Sequence, residues 1–188
     1  MELTHVTVRN GSCTVRIDGP ASKHTVLLLP GAGDGSDVYD AVCDRLHNSD
    51  LRTIVPEDIT GLDDAAVMTL LDEAKVGWVN LVGSREGADL AWRLAARQFG
   101  RFASLVVVDR GHPAVPDSKG VVRESDCPPV DLPTTVMVGG PERRAEADAS
   151  GRFVYSDFRV VQLDGIANVP ASAPAELATE IVLRTSPW

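Results

Sequence analysis

The chain has 188 residues, of which 44% are hydrophobic, and this length and composition suit one compact globular domain with an ordinary core. Its 27 acidic residues outnumber its 18 basic residues, and the formal net charge of -9 argues against a nucleic-acid-binding surface. Three cysteines lie far apart without a Cys-x-x-Cys pair, so we expect no metal, no cofactor and no disulfide framework. No apolar run approaches the roughly 20 residues of a membrane helix, and no signal peptide is recognisable. We therefore expect a soluble, cytoplasmic protein without a membrane partner.

The amino-terminal segment predicts an antiparallel hairpin. Residues 3–9 and 13–17 alternate between apolar and polar side chains, and Asn10-Gly11 between them is a strong turn signal. Residues 24–29 form a continuous apolar run that ends at Pro30-Gly31, which indicates a strand buried on both faces.

The rest of the chain alternates between strands and helices. Further strands are predicted at residues 52–56, 76–82, 102–108, 134–138 and 158–163, and helices at residues 37–47, 62–74, 85–99 and 174–184. This alternation indicates right-handed βαβ units. The predicted fold is a three-layer α/β/α sandwich around a mostly parallel twisted sheet, with the hairpin as an antiparallel edge. We find no interdomain linker, so residues 1–188 are expected to form a single domain.

One long segment interrupts the alternation. Residues 111–133 contain five prolines, several charges and little periodicity. Long loops in compact domains are often functional or mobile. This loop could equally be a filler left where a longer insertion was lost.

The residues after each predicted strand suggest a site, because ligands of parallel sheets bind beyond the carboxyl ends of the strands. These strand ends are followed by Pro30-Gly31-Ala32-Gly33, Gly83-Ser84-Arg85-Glu86-Gly87, Asp109-Arg110-Gly111-His112, Gly139-Gly140-Pro141-Glu142 and Asp164-Gly165-Ile166-Ala167-Asn168. The ordered set resembles the α/β-hydrolase family over nearly the whole chain. In that family a nucleophile elbow, G-x-S-x-G, follows the fifth strand.

The resemblance places three residue types that differ from a working triad. Arg85 stands at the nucleophile position, Glu142 at the acid position and Asn168 at the histidine position. Arginine is protonated and has no acceptor, and asparagine cannot shuttle protons at neutral pH. A triad needs a nucleophile and a base that takes its proton. We therefore expect a degenerate triad without hydrolytic activity.

Other residues at the same sheet edge fill supporting roles in this interpretation. The resemblance places the amides of Ala32 and Glu86 at the oxyanion hole, where Arg85 could complete an anion site. Alternatively, Arg85 pairs with Glu86, Glu142 or Asp109 and closes the pocket. Asp109 and His112 are expected at the pocket rim, with His112 a solvated loop histidine.

Glu142 and Asn168 also have simple structural interpretations as turn residues. Glu142 is expected as an acid in the first turn of a helix, and Asn168 as a turn residue chosen for its tolerance of left-handed geometry. If the elbow is retained, Arg85 is predicted to have a strained backbone with positive φ.

Three functional hypotheses follow. The first is a pseudoenzyme that binds a small molecule or a protein partner, and the second is a non-hydrolytic enzyme that uses Arg85 electrostatically. The third is an active esterase or thioesterase-type hydrolase that uses Ser84 with a displaced base, although Val82 and Glu86 then occupy positions that need small residues.

Family members usually carry helical insertions after the sixth strand as a lid. Here residues 111–133 stand in its place, which implies a shallow site.

Overall fold

A computed structural model describes residues 1–8 and 11–185, and its strands and helices alternate along the chain. The strands are β1 (Glu2–Val8), β2 (Gly11–Asp18), β3 (Thr25–Leu29), β4 (Arg52–Pro56), β5 (Val79–Ser84), β6 (Phe102–Val108), β7 (Thr134–Val138) and β8 (Phe158–Gln162). The α-helices are α1 (Asp40–Asn48), α2 (Asp64–Glu73), α3 (Glu86–Arg97), α4 (Arg144–Ser150), α5 (Val169–Ser172) and α6 (Pro174–Thr185). Short 3-10 turns precede α1 and flank α4.

The strands form one eight-stranded sheet in the order β1-β2-β4-β3-β5-β6-β7-β8. The pairs β1–β2 and β2–β4 are antiparallel, and the remaining neighbours are parallel. The predicted hairpin is confirmed, with Val8 opposite Gly11, although Asn10 of its turn lies outside the described residues. The predicted mostly parallel sheet with an antiparallel amino-terminal edge is therefore confirmed.

Helices cover both faces of the sheet because the side chains of its central strands alternate between the two faces. In β3, Leu27 and Leu29 pack into a core with α2 and α3, whereas Val26 and Leu28 pack into a second core with α1 and α6. Trp92 of α3 is fully buried in the first core. Burial of each such side chain contributes roughly 1.5–3 kcal/mol, so both layers stabilise the sheet.

Several details differ from the sequence prediction, and the short helix α5 is one element that was not predicted. The strand predicted from residue 76 begins at Val79, because the Val76 N–H bonds to the Leu71 carbonyl and Lys75 adopts φ 55°, which ends α2 there. Helix α4 was not predicted. Its sequence, RAEADAS, offers only alanine as apolar side chains and so has a weak helical pattern.

The loop of residues 111–133 contains no helix, and its one strand-like feature is an isolated bridge between Val130 and Val154. Its start is anchored to α4: the Gly111 N–H donates to Glu146 at 2.7 Å, and the His112 N–H donates to Ser150 at 2.9 Å. That the loop replaces a lid stays a prediction. Every helix of the described segments is too short or too polar to cross a bilayer.

Candidate functional site

The turn between β5 and α3 brings strand and helix into very close contact. A Cβ atom on Gly83 would lie 2.7 Å from the Ala88 Cα, and one on Gly87 would lie 2.5 Å from the Pro30 carbonyl oxygen. Neither position can hold a larger residue without moving the backbone. Between them Arg85 adopts φ 52° and ψ -116°, outside the common regions for a side-chain-bearing residue. The predicted positive φ at the tip of this turn is therefore confirmed.

The Arg85 guanidinium forms an ion pair with Asp34, in the turn after β3. The side chain passes over Gly31, where a Cβ atom would lie 2.8 Å from the Arg85 Nε. The hydrogen bond to Asp34 raises the pKa of Arg85 above its usual value. Arg85 is thus paired internally, but with Asp34 rather than with Glu86, Glu142 or Asp109. Asp34 follows a neighbouring strand of the sheet, so its position in the sequence could have indicated this ion pair, but the pairing was not predicted.

The carboxylate of Glu86 occupies the predicted anion position. Its Oε2 accepts a hydrogen bond from the Ala32 N–H at 2.9 Å, and its Oε1 lies 3.5 Å from a guanidinium nitrogen of Arg110. Partial burial opposes ionisation of Glu86. The hydrogen bonds from its own N–H and from Ala32, with the nearby Arg110 and Arg85 charges, outweigh that burial and lower its pKa. The spot between the two amides therefore contains an anion that belongs to the chain itself.

Ser84 points into the core rather than toward solvent. It is the last residue of β5, is only 3% exposed, and lies beside the fully buried Tyr39. The Tyr39 hydroxyl donates its hydrogen to the Leu29 carbonyl at 3.0 Å. Among the described residues, no hydrogen bond joins Ser84 to a histidine.

Glu142 and Asn168 lie in adjacent turns, and among the described residues no hydrogen bond joins their side chains. The two turns are joined by the Ile166 N–H, which donates to the Gly139 carbonyl at 3.0 Å. Glu142 is exposed in the first turn of a 3-10 helix, as expected, and its carboxylate folds back over Gly140.

Asn168 instead caps helix α5, and its side chain accepts from the Ala171 N–H at 3.3 Å. Its φ is -137°, so the expected left-handed geometry is wrong. A helix N-cap requires extended backbone, and Gly165, at φ 72°, is the residue of this turn that adopts positive φ.

Asp109 and His112 are both buried at the end of β6. Asp109 has φ 57°, and its carboxylate accepts from the Gly139 N–H at 2.9 Å, which ties the ends of β6 and β7 together. Burial raises the pKa of Asp109. His112 is 0% exposed, so its prediction as a solvated loop histidine is wrong. The loop folds back over this ring, and nothing in its proline-containing sequence indicates that fold.

Metal binding finds no support within the described residues. They contain no group of three or more His, Cys, Asp or Glu side chains placed to hold a metal ion. The three cysteines are free and buried. The side chains that line this sheet edge instead form arginine–carboxylate pairs.

The sheet order, the covering helices and the strained turn after β5 define a three-layer α/β sandwich. Neither a protein-family model nor a curated protein sequence matches the chain. Solved structures do match over nearly the full length.

Epoxide hydrolase A from Mycobacterium thermoresistibile has 12% identity and a TM-score of 0.77 over 97% of both chains. Haloalkane dehalogenase DbeA from Bradyrhizobium elkani has 14% identity and a TM-score of 0.76 over 96% of both chains. A hydrolase from Pseudomonas aeruginosa PA01 has 16% identity and a TM-score of 0.74, over 97% of this chain and 98% of that chain. The chain therefore has the α/β-hydrolase fold.

Proposed function

We propose that this protein has the α/β-hydrolase fold but no hydrolytic activity, and that it functions by binding a small molecule or a protein partner. The observation that carries the proposal is the hydrogen bond from the Ala32 N–H to the Glu86 carboxylate. An oxyanion hole works by presenting donors to negative charge that develops in the transition state. A donor that already binds a carboxylate cannot stabilise a second anion, so acyl transfer would lack its main electrostatic support.

The residue types at the other site positions point the same way. Arg85 has no lone pair for attack, and Asn168 uses its side-chain oxygen to cap α5. The charge of Arg85 is balanced by Asp34, which also weakens the alternative of an enzyme that uses Arg85 electrostatically. The Glu86 side chain is 45% exposed, so the site is shallow and excludes little water. A shallow, internally paired site suits binding better than chemistry.

A fluorophosphonate probe tests the proposal against the Ser84 hydrolase alternative. We expect no labelling of the full-length chain under conditions in which a known serine hydrolase is labelled completely. The Arg85→Ser variant should also remain unlabelled, because Glu86 still fills the oxyanion position and no base is supplied.

Labelling of the unmodified chain at Ser84 would overturn the proposal. Peptide mapping of the labelled chain identifies the modified residue directly, so the result does not depend on whether a Ser84→Ala variant folds. Labelling of the Arg85→Ser variant at position 85 would show that the Glu86 carboxylate does not block the site.

A further inference from the structure

A basic cleft of about 200 Å³ lies beside the turn that contains Arg85 and Glu86. It is formed where the end of β6, the loop of residues 111–133 and the 3-10 turn before α4 meet. Its basic side is lined by Arg110, Lys119, Arg123 and Arg143, and its acidic side by Asp89 and Asp117. Four of the 18 basic residues thus converge on one small cleft of a chain whose net charge is -9.

The acids of the cleft are already engaged with internal donors. Asp89 accepts from the Arg123 Nε at 2.8 Å. Asp117 accepts from the backbone N–H groups of Lys119 and Val121, at 2.8 Å and 2.9 Å. Among the residues that line the cleft, two carboxylates therefore face four basic side chains.

Arg123 is a structural member of the cleft wall. Besides its bond to Asp89, it donates to the Gly111 carbonyl at 2.7 Å and lies 3.4 Å from a Glu146 oxygen. All three of its guanidinium nitrogens are in use. Arg123 thus holds the loop against α3 and α4, and keeps the cleft in shape.

Donors remain free on Arg110, Lys119 and Arg143. Arg110 donates to the Asp109 carbonyl, and its contacts with Glu86 and Asp89 are 3.5 Å long, beyond good hydrogen-bond distance. Arg143 donates one N–H to the same carbonyl, and its nearest carboxylate oxygen is 4.0 Å away.

The Lys119 ammonium makes no side-chain hydrogen bond or close ion pair in the part of the chain that the structure describes, and its charge interacts only at longer range with that of Asp117. The side chains of Arg110 and Arg143 are 19% and 31% exposed, so their charges are partly shielded from water. An anion in the cleft would therefore meet cations that water screens incompletely.

We propose that this cleft binds a small anion through a phosphate or carboxylate group, held by Arg110, Lys119 and Arg143. Planar guanidinium groups bind both kinds of oxyanion with paired, charge-assisted hydrogen bonds, and a lysine adds a point charge. This inference supplies a ligand class for the binding role proposed above and rests on that proposal for its biological meaning. The cleft itself is separate from Arg85 and Ala32.

Isothermal titration calorimetry of the full chain, at constant ionic strength, tests the inference. Inorganic phosphate and succinate are titrated separately, which distinguishes a phosphate site from a carboxylate site. We expect saturable one-site binding of at least one probe. Lys119→Ala and Arg143→Ala should each weaken it about tenfold or more, since each removes a charge-assisted hydrogen bond to the anion.

The matched control is Arg144→Ala, which removes a neighbouring arginine that pairs with Asp148 and does not line the cleft. It should leave binding unchanged. Lys119 lies on an exposed part of the loop, so its substitution tests the cleft without affecting the core.

Absence of saturable binding of both probes at millimolar concentration would overturn the inference, as would equal binding by all three variants. The two proposals fail separately. Fluorophosphonate labelling of Ser84 with intact anion binding contradicts only the non-hydrolytic function, whereas an unlabelled chain that binds neither probe contradicts only the anion cleft.

Discussion

The imidazole of His112 lies parallel to the ring of Phe153, with 4.4 Å between the ring centroids and 7° between the planes. Both ring nitrogens of His112 are also committed. Nε2 lies 2.8 Å from the Pro128 carbonyl oxygen and must donate to it, and Nδ1 accepts from the Ala114 N–H at 3.2 Å. These contacts require the neutral imidazole, because a proton on Nδ1 would make it a donor that faces the Ala114 N–H, which is also a donor.

Substitution of His112 should therefore change the pH dependence of stability. Burial, above all, lowers the pKa of His112 below 6.5, so the unfolded chain binds more protons as the pH falls through that value. The free energy of unfolding should decrease from about pH 7 to about pH 5, and His112→Gln should remove part of that slope. Urea unfolding of both proteins at several pH values measures this dependence of the unfolding free energy on pH. His24→Gln, at an exposed histidine, is the control, and equal slopes in both variants would contradict the prediction.

Gly87→Ala should destabilise the fold strongly. A Cβ atom there would lie 2.5 Å from the Pro30 carbonyl oxygen, and backbone atoms cannot move aside as a flexible side chain can. We expect a loss of about 3 kcal/mol or more in the free energy of unfolding, measured by urea titration. Gly77→Ala is the matched control, because a Cβ atom at Gly77 has open space around it. Similar losses in the two variants would show that the close contact at Gly87 is unimportant.

Tyr39→Phe should cost stability although it keeps the ring. The variant leaves the buried Leu29 carbonyl without its 3.0 Å hydrogen bond. A loss of about 1–3 kcal/mol in the free energy of unfolding is expected. Tyr155→Phe removes a hydroxyl from a residue that is 68% exposed, and should be neutral in the same denaturation assay. A neutral Tyr39→Phe would contradict the assigned hydrogen bond.

Glu86→Gln should remove stability that is present at neutral pH and lost in acid. The pKa of Glu86 is lowered below 4.5, so its contribution is complete above that value and disappears as the pH falls through the folded-state pKa. Because the side chain is 45% exposed, the effect should stay under about 1 kcal/mol. The difference in unfolding free energy between the two proteins should shrink below about pH 4.5. Glu73→Gln, at an exposed acid, should show no such convergence.

The sequence predicted the features that depend on local pattern. Apolar runs and their alternation were sufficient for the eight strands. The strained turn at Arg85 was predicted from the resemblance of residues 83–87 to a nucleophile elbow, since paired glycines alone also fit an ordinary tight turn. The partner of Arg85 and the burial of His112 could not be predicted in this way. Both depend on contacts between side chains of different loops at the edge of the sheet. The periodicity of the sequence contains no information on such contacts.

The backbone geometry of Arg85 is imposed by its neighbours rather than by its own side chain. Its N–H donates to the Val108 carbonyl at 3.0 Å, and Gly83 and Gly87 set how closely the strand and helix cross. Strain of about 1–3 kcal/mol persists where the surrounding structure over-determines it. The residue at position 85 could therefore be replaced during evolution, for example by a nucleophile, without any change in the path of the main chain.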